Sequence, residues 1–172
     1  MEGLRYSLDT YANIAAFLHY GYKLRVADLD GAFPLLPWAP AIWPFLLFVW
    51  EDVYGEVPWD CMYCNLNGDF GSAGFPGAFK IFFVDVVVGM ARSEAVLTLP
   101  LVVHVDDLGH IGGESAEVDA EGERLREFLR PIGIFMKELK DKPAAVRQLM
   151  VGFWWDSIQR TRTLEETKLG AY

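Results

Sequence analysis

The stretch Leu101-Val-Val-His-Val-Asp-Asp-Leu-Gly-His-Ile111 places two adjacent carboxylates between two short apolar runs. Apolar segments on either side of a brief polar break are typical of a β-hairpin. We therefore expect Asp106 and Asp107 at the tip of a hairpin, at one edge of a sheet. Asp is also a favoured turn residue, so a solvated turn without chemistry is the alternative. Crowded carboxylates repel each other unless a cation lies between them, and oxygen ligands of this kind suit Mg²⁺.

Length and composition predict one folded domain with a sizeable core. The chain has 172 residues, of which 52% are hydrophobic, and a chain of this size buries enough apolar surface to fold. Its net charge of −9 disfavours an extended nucleic-acid interface, because phosphate contact requires clustered Lys and Arg. Residues 137–168 nevertheless hold seven basic against five acidic residues. Any contact with nucleic acid is therefore expected to be local.

One uncharged stretch, Ala32 to Trp50, approaches the length of a membrane-spanning helix. It contains four prolines, which would interrupt such a helix, and its flanks are acidic rather than basic. We expect strand and loop packed inside a soluble domain. No membrane partner is expected, and the N-terminus lacks the pattern of a secretory signal.

Cys61 and Cys64 form a lone C-x-x-C pair. A structural zinc site usually needs four ligands, and a redox pair is expected beside a βαβ unit that the pattern here does not indicate. Two cysteines in a connecting loop is the favoured interpretation.

Hydrophobic periodicity predicts the order of the secondary-structure elements. We expect helices within Ser7–Tyr22, Ala78–Ala91 and Ser115–Arg130, and strands at Lys23–Asp28, Ile134–Lys137, Gln148–Trp154 and Ser157–Thr161, in addition to the hairpin around Asp106. In the second helix, the side chains at i, i+3, i+4, i+7, i+8 and i+11 are expected to face inward, namely Phe79, Phe82, Phe83, Val86, Val87 and Met90. This order predicts an α+β fold, with helices backing an antiparallel sheet.

A third carboxylate, Asp28, lies at the end of the predicted strand Lys23–Asp28. From there its side chain can face the hairpin tip that carries Asp106 and Asp107. Three carboxylates could hold two divalent ions, and such a pair serves an in-line phosphoryl displacement. The alternative is that Asp28 and Asp30 only cap a turn before Gly31.

Three segments occur in order along the chain: Asp28-Leu-Asp-Gly-Ala-Phe33, Phe70-Gly-Ser-Ala-Gly-Phe-Pro-Gly-Ala-Phe79 and His104-Val-Asp-Asp107. They resemble, respectively, the first palm motif of reverse transcriptases, their Phe-Gly, Pro, Phe element before a helix, and their aromatic-x-Asp-Asp signature. The chain departs from the family at His104, where Tyr or Phe is usual, and at Asp69, where Pro is usual.

Two downstream segments extend this resemblance as far as Lys168. Gly133 to Lys140 resembles the segment that ends in the family's motif-D lysine. Val151-Gly-Phe-Trp-Trp-Asp-Ser157, followed by Leu164-Glu-Glu-Thr-Lys168, resembles its Leu-Gly-Phe-x-x-Asp-Ser hairpin and Leu-Pro-Glu-x-Lys continuation. The residues of these motifs are most similar to those in palm domains of retroelements, and they suggest the DIRS type as the subfamily.

The resemblance implies a ferredoxin-like polymerase palm, an antiparallel sheet backed by two helices, that acts as an RNA-directed DNA polymerase. Asp28 and Asp106 would be ligands of two Mg²⁺ ions, with Mn²⁺ as an alternative metal. Asp107 would complete the acidic cluster, and the carbonyl of Leu29 would bind near the metal and nucleotide.

The resemblance also assigns nucleotide-binding roles. Phe33 would exclude a 2′-hydroxyl and so favour deoxynucleotides, with a purely structural core aromatic as the alternative. Gly71 would allow close approach of the backbone to template and nucleotide. Lys140 would contact the triphosphate as a catalytic proton donor or charge stabiliser, although a solvated lysine is the alternative and Lys142 competes for the role.

The resemblance divides the chain into residues 1–22, a remnant of the fingers or a connecting helix, and residues 23–172, the palm with the start of the thumb-proximal hairpin. The implied partners are an RNA or DNA template-primer, dNTPs, and further domains of a longer intracellular polyprotein (fingers, thumb, RNase H, integrase or recombinase). A truncated, non-catalytic retroelement remnant that serves as a structural or binding module is the main alternative. Another palm-type nucleotidyl transferase, such as a cyclase, is less favoured.

Overall fold

A computed structural model of the protein describes residues 10–49, 62–68 and 75–166. The α-helices are α1 (Thr10–Phe17), α2 (Phe75–Phe79), α3 (Gly89–Ser93) and α4 (Ser115–Leu129). A π-helical segment, Lys80–Val88, joins α2 to α3 without a break. The strands are β1 (Lys23–Asp28), β2 (Leu47–Val49), β3 (Met62–Cys64), β4 (Leu101–His104), β5 (Asp107–Gly112), β6 (Lys142–Ala145), β7 (Arg147–Met150), β8 (Phe153–Asp156) and β9 (Thr161–Leu164).

The main sheet has four strands in the order β4-β5-β1-β6, and all its pairings are antiparallel. β1 is an inner strand, and five of its six residues are buried. Its bounds match the predicted strand Lys23–Asp28, and the predicted hairpin forms from β4 and β5. The α+β class with an antiparallel sheet is confirmed.

One face of this sheet packs against helices. Ala27 and Leu108 from the sheet share a core with Leu125 and Leu129 of α4 and with the long helical segment of residues 75–93. In that segment the buried aromatic and aliphatic side chains recur every four residues: Phe75, Phe79, Phe83, Val87 and Ala91. The predicted inward face was therefore partly wrong, since Val86 and Met90 are exposed. The reason is that the π-helical turn is wider than an α-helical turn, so the i+3 positions rotate away from the core.

The opposite face packs against α1 and a three-stranded antiparallel sheet, β7-β8-β9. Ile14 of α1, Met150 of β7 and Trp155 of β8 contact Leu24 and Val26 of β1 there. α1 lies within the predicted Ser7–Tyr22 helix, and Gly21, with φ of +75°, turns the chain back into β1.

The strand predictions after α4 need correction. Residues 134–137 form only an isolated bridge, Leu29 to Met136, and a 3₁₀ turn follows at Glu138–Lys140. β6 was missed because Lys142 and Pro143 weaken a strand pattern.

The other two predicted strands were also placed wrongly. The strand predicted over 148–154 is split by a turn at Val151 and Gly152, and both residues have positive φ. The strand predicted over 157–161 is mostly a turn, and β9 begins only at Thr161.

The proline-rich stretch is packed inside the domain only at its start, where Ala32 and Phe33 are buried, and not along its whole length as predicted. It forms 3₁₀ turns at Phe33–Leu35 and Pro40–Phe45, followed by β2, which pairs with β3. The side chain of Phe45 is 82% exposed, and Leu47 and Phe48 are also exposed. Pro40 and Pro44 prevent a regular helix that would bury one side. None of the helices in the described ranges combines the length and the apolar character that spanning a membrane requires.

Two charged side chains, Glu121 and Arg25, are buried between the sheet and the helices, and each has polar partners there. Glu121 is fully buried and accepts hydrogen bonds from the backbone N–H groups of Thr98 and Leu99 and from the Thr98 hydroxyl. Arg25 is buried and pairs with Glu123 and Asp141. These contacts fix α4 on the sheet, because an unpaired buried charge would be costly.

Candidate functional site

Asp28 and Asp107 are direct cross-strand partners at the ends of β1 and β5. Directly opposed residues of an antiparallel pair point to the same face, so both carboxylates lie on the face that carries α1 and the three-stranded sheet. Asp28 is 3% exposed. Burial of a carboxylate at this position needs compensation by positive charge.

Asp106 lies in the two-residue turn between β4 and β5, next to Val105. Val105 has φ of +55°, an uncommon conformation for a β-branched residue. The carbonyl of Asp106 accepts a hydrogen bond from the N–H of Leu29 at 2.8 Å. This bond ties the hairpin tip to the residue that follows Asp28, and so brings the two acidic motifs together.

Two lysines neutralise Asp28. Lys140 Nζ donates a hydrogen bond to Asp28 Oδ2 at 2.5 Å, and this bond raises the pKa of Lys140. Lys137 Nζ lies 2.5 Å from Oδ1, outside hydrogen-bonding geometry. The Lys137 N–H also donates to the Asp28 carbonyl. Both lysines come from the segment after α4, which reaches the site through the bridge between Leu29 and Met136.

Asp107 has a pKa well above the ordinary value of a carboxyl group. Burial, the charge of Asp106 and the charge of Asp28 together raise its pKa to about 6, against the opposite effect of the two lysines. Within the described residues, no three His, Cys, Asp or Glu side chains are grouped closely enough to hold a metal ion. The site has three carboxylates, and only two of the lysines that the structure describes, Lys137 and Lys140, form ion pairs there, so its negative charge is offset only in part.

His104 extends the acidic pair into a row across three strands. It is the cross-strand partner of Asp107 on β4, and its Nδ1 lies 2.7 Å from the Oγ1 of Thr10, the first residue of α1. Burial lowers the pKa of His104, although Asp106 acts in the opposite sense. Sequence reasoning did not identify Thr10, because its only signal is a polar residue at the start of a helix.

The other residues predicted to bind nucleotide differ in their surroundings, and one of them is not described by the structure. Phe33 is 4% exposed and packs edge-to-face against Phe75 and Phe79, so the ring is part of the core. Leu29 is fully buried. Gly71 lies outside the described residues, as do Cys61 and Lys168. The other cysteine, Cys64, is half-buried on β3.

A cavity of about 390 Å³ opens beside the carboxylates. Its walls include Asp28, Asp107, Lys140 and Lys142 from the site, together with Gln148 and Trp154 from the β7–β8 hairpin. Lys140 and Lys142, the two candidates for contact with the triphosphate, thus line the same cavity. The sequence predicted one continuous strand over 148–154. It therefore gave no indication that Gln148 and Trp154 of a hairpin would line this cavity. The buried carboxylate of Asp28, the half-buried carboxylate of Asp107, basic side chains and a neighbouring cavity form an arrangement with groups for both cations and phosphates.

No protein-family model matches this chain, and no curated protein matches it.

Proposed function

We propose that this chain is the palm of a retroelement reverse transcriptase, which adds deoxynucleotides to the 3′-hydroxyl of a primer. The observation that carries the proposal is the pairing of Asp28 with Asp107 beside the turn that holds Asp106. The two acidic motifs of the sequence resemblance thereby meet at one end of the main sheet. The antiparallel sheet, backed by α4 and the long helical segment on one face, is compatible with a ferredoxin-like palm.

The side chains present carry the oxygen donors that divalent cations prefer, and they would have to move closer together to hold an ion, because no three of them are grouped for that in the described residues. Asp28 is buried, its Oδ1 has no hydrogen-bond partner among the described residues, and two ammonium groups occupy its surroundings. The raised pKa of Asp107 marks a place where added positive charge would be favourable. Asp28, Asp106 and Asp107 would hold two Mg²⁺ ions, or Mn²⁺. When bound, such ions activate the attacking hydroxyl and stabilise the leaving oxygen.

The chain's own side chains supply the rest of the proposed chemistry. Lys140 is exposed over more than half of its side chain and lines the cavity, so it can move from Asp28 to a triphosphate once the carboxylate binds a cation. There it would hold a proton close to the leaving group. Phe33 would lie under the sugar of the incoming nucleotide, as the resemblance implies. Leu29 and Gly71 would contribute backbone groups.

The proposal is tested by primer extension on an RNA template with dNTPs and Mg²⁺. We expect extension by the wild-type chain and its loss in Asp106→Asn. Asp85→Asn is the matched control, because Asp85 is an exposed carboxylate on the π-helical segment that pairs only with Lys80 among the described residues. Equal extension by Asp106→Asn and wild type would overturn the assignment. Absence of extension in all three proteins would favour the non-catalytic remnant.

A further inference from the structure

A second cavity, of about 360 Å³, lies between α1 and the turn that joins β8 to β9. Ala15 and Leu18 form its apolar wall, and Ser157, Arg160, Thr161 and Arg162 supply polar groups on the other side. None of these residues belongs to the carboxylate site. In a chain with a net charge of −9, a cavity with two arginines is a local reversal of charge.

The guanidinium group of Arg162 is held in place by aromatic rings. Its central carbon lies 4.8 Å from the ring centroid of Phe153, 5.3 Å from that of Tyr11 and 5.6 Å from that of Trp155. Stacking restrains the long side chain and leaves the N–H groups at the guanidinium edge able to donate. Binding an anion there would cost less side-chain entropy than binding at a free arginine.

Arg160 is placed by the turn itself. Asp156 Oδ1 accepts hydrogen bonds from the N–H groups of Ile158 and Gln159, which orders the turn, and Arg160 then adopts φ of +54° before β9. Neither Arg160 nor Arg162 forms an ion pair with a carboxylate of the described residues. Asp156 also lines the cavity, but two arginines leave a positive balance.

Guanidinium groups beside hydroxyl groups are suited to phosphate oxygens. Arginine donates several N–H groups in a fixed plane, which matches a phosphate better than it matches a single acceptor. Thr161 contributes a hydroxyl group on the exposed strand β9. The Ser157 hydroxyl donates to the Tyr22 carbonyl, so its oxygen is left to accept.

We propose that the cavity formed by Arg160, Thr161 and Arg162 binds a backbone phosphate of a single-stranded segment of nucleic acid. The three-stranded sheet connects it with the carboxylate site, because Gln148 and Trp154 of the same sheet line the first cavity. The choice of a polynucleotide over a free phosphate rests on the proposed function. The anion site itself rests only on the two arginines and their surroundings.

The test measures binding of a fluorescein-labelled, single-stranded oligodeoxynucleotide by anisotropy, with EDTA present, at several salt concentrations. The full chain carrying Asp106→Asn is used, so that no catalysis is required. Arg160→Gln should weaken binding about two- to fivefold, the range of one exposed ion pair. It should also lower the slope of log affinity against log salt by about 0.7, the value for one phosphate on a single strand.

Arg130→Gln is the matched control, because Arg130 is exposed, lies outside both cavities and loses the same charge. It should leave affinity and salt slope unchanged. Equal effects of the two substitutions would overturn the site. Arg162→Lys keeps the charge but loses the planar donor edge, and it should weaken binding less than Arg162→Gln does.

Inorganic phosphate is the second probe. Thermal stabilisation of the chain by millimolar phosphate that Arg160→Gln abolishes, together with absence of oligonucleotide binding, would overturn the polynucleotide assignment. Weaker binding by Arg160→Gln than by Arg130→Gln would support the site even if primer extension fails in every variant, so failure of this inference and failure of the proposed function are distinguishable.

Discussion

Asp28 and Asp107 face each other across β1 and β5, a position where two like charges destabilise an antiparallel pair. Lys137 and Lys140 approach one member of the pair, Asp28, from the segment after α4. The second member, Asp107, keeps an elevated pKa. β1 therefore ends at a pair of like charges. Among the described residues the two lysines form ion pairs with Asp28 and not with Asp107, so the two carboxylates are compensated to different extents.

Replacing Asp107 by Asn should stabilise the metal-free protein at neutral pH. The folded-state pKa of about 6 exceeds the ordinary value of 3.8, so the folded state binds more protons between these limits and loses stability as pH rises through them. We expect a gain of about 1 kcal/mol at pH 7 for Asp107→Asn, after discounting for partial solvent exposure. Urea unfolding with EDTA at pH 4 and pH 7 measures it, and the difference should vanish at the lower pH.

Magnesium ions provide a control for the Asp107 prediction. If the carboxylates bind the cation, addition of Mg²⁺ should stabilise the wild type more than Asp107→Asn and so reduce the gain at pH 7. An unchanged gain in Mg²⁺ would contradict the metal assignment while leaving the repulsion intact.

Replacing Phe33 by Ala should admit ribonucleotides in primer extension, if this ring contacts the sugar. The ring is also part of the core, so its loss should cost about 3–5 kcal/mol of stability. Phe33→Leu is the companion variant, because it keeps most of the volume. Phe79→Leu is the control: this ring packs against Phe33 and is fully buried. Sugar selectivity that changes equally in Phe33→Leu and Phe79→Leu would return Phe33 to a purely structural role.

Thr10→Val should weaken the attachment of α1 to the β4–β5 hairpin. Thr10 is 2% exposed, and its hydroxyl lies within hydrogen-bond distance of His104. Valine has a similar shape but leaves the imidazole without this partner, so we expect a loss of about 1–2 kcal/mol. Thr10→Ser keeps the hydroxyl and should recover most of that loss. Thermal unfolding of the three proteins gives the comparison, and equal stability of the valine and serine variants would contradict it.

His110 should make the protein sensitive to acid. It is fully buried, and burial lowers its pKa from 6.5 to about 4. The unfolded chain therefore binds a proton below pH 6.5 that the folded chain does not bind. Stability should fall by about 3 kcal/mol as pH decreases from 6.5 to 4 and then level off.

The control for His110 is His110→Gln, which cannot titrate. Both proteins should carry Asp107→Asn, because Asp107 acts with the opposite sign over much of the same pH range. Parallel pH profiles of unfolding free energy in the presence and absence of His110 would contradict the prediction.

The fold was predictable wherever the hydrophobic pattern of a segment is compatible with only one type of secondary structure. The bounds of β1 follow from its alternating pattern and the adjacent Gly21, and α4 follows from a polar segment with a single apolar stripe. The long helical segment was predicted as a helix, but its inward face was not. Seven apolar residues of the nine between Lys80 and Val88 are compatible with several pitches, and only packing selects the π-helical one.

The acidic residues of the candidate site and Lys140, which the resemblance assigns to it, were named from the sequence, whereas their other partners were not. Adjacent carboxylates on a hairpin and another at a strand end are visible in the sequence, and antiparallel pairing brings them together. The charge balance depends on Lys137 and on Thr10 with His104, contacts between segments far apart in the chain. No local pattern reports such contacts.

The order of strands in the main sheet has a kinetic consequence. β1 pairs with β5 on one side and with β6 on the other, and both partners lie far along the chain from it. Loop closure over such separations is slow and is not rewarded until the strands pair. Asp28 and Asp107 therefore cannot come together before β1 pairs with β5. A chain still emerging from the ribosome presents Asp28 long before it can present the site.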